Sequence, residues 1–169
     1  MQLELAAEDT GISVTAIQRW DSKEQEAETM EDKPSGRISV TTDDVEIGTM
    51  IEAAKQRTTG AVVTFLGVVR DDGIESMELS AFEEVAVQDM TGIRDEAVRQ
   101  FNLQQVDIVH RIGSLRVGEN ILLIVVAAGH RKEAFKGCEY ILERIKERVP
   151  IWKKEFLADG HRWVEGKHG

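Results

Sequence analysis

Six basic side chains stand where regular elements of this chain start or stop. Arg70 closes the run GAVVTFLGVVR, His130 and Arg131 open HRKEAF, Lys146 lies near the end of LERIKER, and Lys153 and Lys154 follow PIW. If they converge, they hold an anionic small molecule. Their mutual repulsion would also lower the pKa of a lysine among them, making it available as base or nucleophile. Spacing does not establish convergence, and each residue has a plainer reading. Lys146 can be a snorkelling lysine, its stem on apolar surface and its head in water. Arg70 can pair with Asp71 or Asp72. His130, Arg131 and Lys132 oppose a helix dipole, which fits an anion shared with free backbone N–H groups, but Arg131 and Lys132 can also pair with Glu133 or other carboxylates. His110 reads as a satisfied core histidine. His161 and His168 stand apart from each other in a polar tail, and no HxxxH or HExxH spacing points to a metal.

The elements that must carry these groups are legible from periodicity. ISVT is a short β-type run, and DDVEIGTMIEAAKQR has apolar residues at helical spacing. GAVVTFLGVV, residues 60–69, is a nearly continuous apolar run and reads as a buried strand. MELSAFEEVA holds a further strand leading into a helix around Val85 to Phe101. VDIVHRIG alternates like a half-buried strand with either His110 or Arg111 inward, SLRVGEN is a turn, and NILLIVVAA is a buried strand. HRKEAFKGCEYILERIKERV is a helix stopped by Pro150. At about 100° per residue, Phe135, Cys138, Ile141, Leu142, Ile145 and Val149 fill an arc about 120° wide, with Lys146 about 20° beyond its edge. Cys138 inside that arc reads as a packing thiol. Strands and helices alternate without a dinucleotide glycine fingerprint, which predicts an α+β fold with a mainly antiparallel or mixed sheet.

The chain has 169 residues, 41% apolar and 31% charged, and a formal net charge of −10. That fits one soluble domain, with or without an appended arm, and argues against broad binding to nucleic acid or anionic membrane. No apolar run reaches the roughly 18 residues of a membrane span, and the N-terminus lacks signal-peptide character. A single cysteine excludes an internal disulfide and disfavours a Cys-based zinc cluster. A cytoplasmic protein is expected. Residues 1–36 read as an N-terminal extension, flexible or partly helical, with 37–169 as the main domain. Within the extension, AAEDTGISVTAIQRW (residues 6–20) resembles the turn and second helix of a helix-turn-helix without the rest of that domain.

GAVVTFLGVVR, VDIVHRIGSLRVGE, HRKEAF and LERIKERVPIWKKE, in this order and spacing, resemble the large, catalytic subunit of molybdopterin synthase. The resemblance covers roughly residues 38–167. It implies an α/β hammerhead with an additional small antiparallel β-sheet. It also implies a sulfurtransferase that installs two dithiolene sulfurs in cyclic pyranopterin monophosphate (precursor Z) to form molybdopterin, in molybdenum cofactor biosynthesis. The implied sulfur donor is a thiocarboxylate on the C-terminal Gly-Gly of a small ubiquitin-like subunit. The implied assembly is a homodimer within a heterotetramer, and no metal or free cofactor is required for the transfer.

Carried over residue by residue, the resemblance implies Lys146 and Lys153 as the catalytic candidates. It implies Arg70, His130, Arg131, Lys154, Glu155 and Lys167 as substrate-binding residues. Two departures stand out: the loop DDGIESMELSAFEEVA after Arg70 is shorter than usual, and Phe82 stands where relatives often have tyrosine. Two other functions compete with this one. A family member without catalysis could serve as an assembly or regulatory module, and a DNA-binding regulator could work through residues 6–20.

Overall fold

The computed structural model describes residues 36–164. The helix-turn-helix-like stretch at 6–20 and Lys167 lie outside the described residues. In chain order the elements are β1 (Ile38–Thr41), α1 (Ile47–Ala53), β2 (Ala61–Val68), β3 (Ser76–Ala81), α2 (Glu83–Phe101), β4 (Leu103–Arg111), β5 (Gly113–Arg116), β6 (Asn120–Ala128), α3 (Arg131–Arg148), β7 (Ile151–Leu157) and β8 (Gly160–Val164). They form an α+β fold with two four-stranded sheets, ordered β1-β4-β6-β2 and β5-β3-β7-β8. The first sheet is mixed, because β1 runs parallel to β4 while β4, β6 and β2 pair antiparallel. The second is antiparallel throughout.

The first sheet is covered on both faces. Ala86, Met90, Ile93 and Ala97 of α2 and Ala134, Cys138, Ile141 and Ile145 of α3 pack on Val106, Ile108, Ile124 and Val126. On the opposite face, Met50 and Ala54, in and just after α1, meet Val109, Leu123 and Val125. This double cover explains why β4 is buried almost throughout, where alternation predicts a half-buried strand. His110 and Arg111 therefore both point into protein, on opposite faces of the strand, and are 4% and 6% exposed. The expected choice between them does not arise.

Three further expectations are corrected. The run at 60–69 forms β2 but is not buried throughout: it is the sheet's edge strand, with Thr64, Leu66 and Val68 exposed. Apolar content alone does not separate an edge strand from a central one. On α3 the packing face is rotated by about 40° from the predicted arc, using the same helical advance. Gly137 and Ala134 are buried, whereas Phe135 is 64% exposed. The cause is Gly137, where an added Cβ would stand only 2.7 Å from Leu103 Cδ1. The missing side chain lets Leu103 seat on the helix, and counting large apolar residues overlooks it. α1 covers only Ile47–Ala53, shorter than the predicted helix. The acidic residue before it is engaged elsewhere: Asp44 Oδ1 accepts bonds from Val45 N at 2.8 Å and Asn120 Nδ2 at 3.0 Å.

Candidate active site

The candidate site lies where α3 turns into β7. Val149 adopts φ −82° and ψ 121°, the extended conformation imposed on a residue before proline, and its N–H still donates to Ile145 O at 3.0 Å. Pro150 then ends the helix, and β7 begins at Ile151, which packs against two of the three apolar clusters. From here the two-residue period of a strand decides which way each basic group faces. Lys153 and Glu155 share one face of β7. Trp152, Lys154 and Phe156 share the other.

On the first face Lys153 pairs across the strands with Leu79 and Val164, and Glu155 with Met77 and Arg162. Lys153 is half-buried, and no ion pair holds it among the described residues. Burial, then the neighbouring Lys146 charge, pushes its ammonium below the ordinary lysine range, while Glu155 acts in the opposite sense. Lys146 itself is exposed at the end of α3 and lies 3.3 Å from Glu143 Oε1. That is the snorkelling geometry its helical position predicts, but it leaves the charge close enough to act on Lys153.

His110 approaches Lys153 from β4. Its Nδ1 lies 2.8 Å from the carbonyl of Arg111, so that nitrogen carries the proton and donates. Burial, with a smaller push from the Lys153 charge and against the backbone bond, brings the imidazole down to about 4. His110 is therefore neutral at physiological pH. Periodicity reads it correctly as buried, but carries no signal that it borders Lys153.

The remaining candidates divide into two groups. Glu155, 8% exposed, accepts from Arg162 Nε at 2.5 Å, and Arg162 also bears on Asp72. Asp72 in turn takes Arg70 in a fork, with Nε at 2.8 and 2.9 Å and Nη2 at 2.7 Å. Arg70 is thus the exposed partner of Asp72 in this state. Lys154 is not brought to Lys153: it stands on the opposite face, 5.1 Å from the Phe156 ring centre and 5.6 Å from that of Trp163. His130 and Arg131 sit at the other end of α3, exposed, and no carboxylate pairs with Arg131 or Lys132 among the described residues. Fifteen residues separate Arg131 from Lys146, a rise of about 22 Å along the helix. Cys138 is buried, with its thiol pushed up to about 11 by desolvation, so it is a packing group. No group of three or more His, Cys, Asp or Glu side chains placed to hold a metal ion occurs among the described residues.

The MoaE protein family matches residues 40–148, well over half of the chain. The molybdopterin synthase catalytic subunit of Pyrococcus abyssi is 42% identical over 128 residues, covering 73% of this chain and 86% of that protein. The chain belongs to the MoaE protein family. Among solved structures, molybdopterin synthase from Staphylococcus aureus superposes with a TM-score of 0.72 at 36% identity, covering 76% of this chain and 96% of that one. The complex of subunits 1 and 2 of molybdopterin-converting factor from Helicobacter pylori matches at a TM-score of 0.65. At 21% identity, with 78% and 91% of the two chains covered, it speaks for the fold alone. The MoaE match includes Arg70, His130, Arg131 and Lys146 and stops before β7. Arg162, on β8, is a residue of the candidate site that sequence reading missed. Its signal is the two-residue turn Ala158–Asp159, which sets a hairpin register pairing it with Glu155.

Proposed function

We propose that the chain is the catalytic subunit of a molybdopterin synthase, a sulfurtransferase that converts precursor Z into molybdopterin with sulfur from a thiocarboxylated small subunit. The observation that carries this reading is Lys153: a half-buried lysine of lowered pKa, in no ion pair among the described residues, beside Lys146 in a member of the MoaE family. A neutral amine there accepts a proton, or attacks the acyl carbon of the incoming thiocarboxylate, forming an amide as the C–S bond breaks and hydrosulfide leaves. Its ammonium donates a proton to a departing oxygen. Substrate phosphate and tail are both anionic, which suits a local cluster of cations on a chain of net charge −10. The reading needs no metal or free cofactor for the transfer.

The length of α3 supports a homodimer. One chain's His130 and Arg131 lie about 22 Å along the helix from its own Lys146, too far to share a small substrate. Two copies that place the start of one α3 near the end of the other would complete two equivalent pockets, as twofold symmetry requires. The test is reconstitution with the thiocarboxylated small subunit and precursor Z. Molybdopterin formation that is lost in Lys153→Ala, with the fold intact, supports the reading, and full turnover by that variant removes it.

A further inference from the structure

We propose that Arg162 is a positioning residue for Lys153: by binding Glu155 it holds that carboxylate away from the lysine and takes up its charge. The inference rests on Lys153 being a working group of the site, as proposed above.

Glu155 is a buried acid, with its side chain only 10% exposed, and a buried carboxylate must be compensated. Two cations can do this from the same side of the hairpin: Lys153, two residues away on the same face of β7, and Arg162, its cross-strand partner on β8. The structure gives the carboxylate to Arg162, whose Nε stands 2.5 Å from Oε2. Among the described residues Lys153 is left without an ion pair, its ammonium open to an incoming anion. The Arg162 charge also reaches Asp72, whose own ion pair is with Arg70.

The other groups facing Lys153 do not substitute for Arg162. Lys146, from α3, repels it and is engaged by Glu143. His110, from β4, is neutral. The cross-strand neighbours Leu79 and Val164 carry no charge. Without Arg162, Glu155 has Lys153 as the remaining cation on its face of β7 among the described residues. The lysine would be drawn into an ion pair and held protonated.

The experiment follows Lys153 directly in the full chain, by NMR titration of 13C-labelled lysine side chains, with the resonance assigned by its loss in Lys153→Arg. Arg162→Gln should raise the Lys153 midpoint by about one pH unit. It should also move the rising limb of turnover in the reconstituted reaction to higher pH. Arg162→Lys should restore both, and Arg162→Gln combined with Glu155→Gln should return the midpoint to the wild-type value. The converse variant, Glu155→Gln, leaves Arg162 uncompensated and should lower the midpoint, which keeps the test open if Arg162→Gln does not fold. A folded Arg162→Gln, or a folded Glu155→Gln, with the wild-type midpoint overturns the inference. Undiminished turnover by Lys153→Ala would instead overturn the functional reading while leaving the titration result to stand by itself.

Discussion

At the residue scale, solvent access separates side chains that look alike in sequence. Lys146 and Lys153 are seven residues apart, yet one is a solvated helix-end lysine and the other a half-buried strand lysine. His110 shows what the same desolvation does to an imidazole. Its pKa is about 4 when folded, against about 6.5 when exposed. The fold therefore favours the neutral ring: this contribution to stability is fully present above about pH 6.5 and is lost as pH falls toward 4. The loss should amount to roughly 3 kcal/mol. Thermal midpoints measured across that window should fall more steeply for the wild type than for His110→Gln. Parallel curves would show that His110 titrates normally. The sequence made the basic residues visible at element ends, and the family resemblance singled out Lys146 and Lys153. Charge and spacing could not show that Lys154 faces away, because only the strand register sets that.

At the element scale, most strands and helices were legible because their hydrophobic periods are strong, and the misses have physical causes. Edge and central strands have similar composition, so β2 read as buried when one side of it is exposed. On α3 the decisive packing residue is a glycine, which hydrophobicity does not weigh. That orientation matters to the site, since it turns Phe135 and Lys146 toward solvent while Ile141 and Ile145 hold the helix to the sheet. Gly137→Val would drive two methyl groups into Leu103, which is 6% exposed and has little room to move. Overpacking of this kind costs about 1–3 kcal/mol. Denaturant titration should show that loss with an unchanged slope, and a neutral result would mean that Leu103 repacks freely. Pro150 deserves the same credit as the lysines. By stopping α3 and directing Val149 into extended backbone, it places Lys153 on a strand face one step beyond Lys146.

At the scale of the whole molecule, the six basic groups that drew attention in the sequence do not meet within one chain. Lys146 and Lys153 gather at one end of α3, with His110, Glu155 and Arg162 around them, while His130 and Arg131 mark the other end. Sequence spacing concealed this, because a helix that joins two motifs in the chain also holds them apart in space. If the pocket is completed by a second copy, two inactive variants should rescue each other. Mixing Lys153→Ala and Arg131→Ala chains by co-refolding yields dimers of which half are mixed, each with one intact pocket. Activity should return to about a quarter of the wild-type level by this symmetry count. Absence of rescue, with mixed dimers confirmed by mass, would place both residues in the same chain's pocket or remove Arg131 from it.

The central claim is that Lys153 performs the sulfur transfer in a site built at the α3–β7 corner. Its most direct measurement is single-turnover formation of molybdopterin from precursor Z and the thiocarboxylated small subunit. Wild type, Lys153→Ala and Lys146→Ala should be compared, each shown by circular dichroism to be folded. The account predicts that Lys153→Ala loses at least about a hundredfold in rate, as removal of a proton-transferring or nucleophilic group does. Lys146→Ala should also be impaired. Wild-type rates in a folded Lys153→Ala would contradict the account.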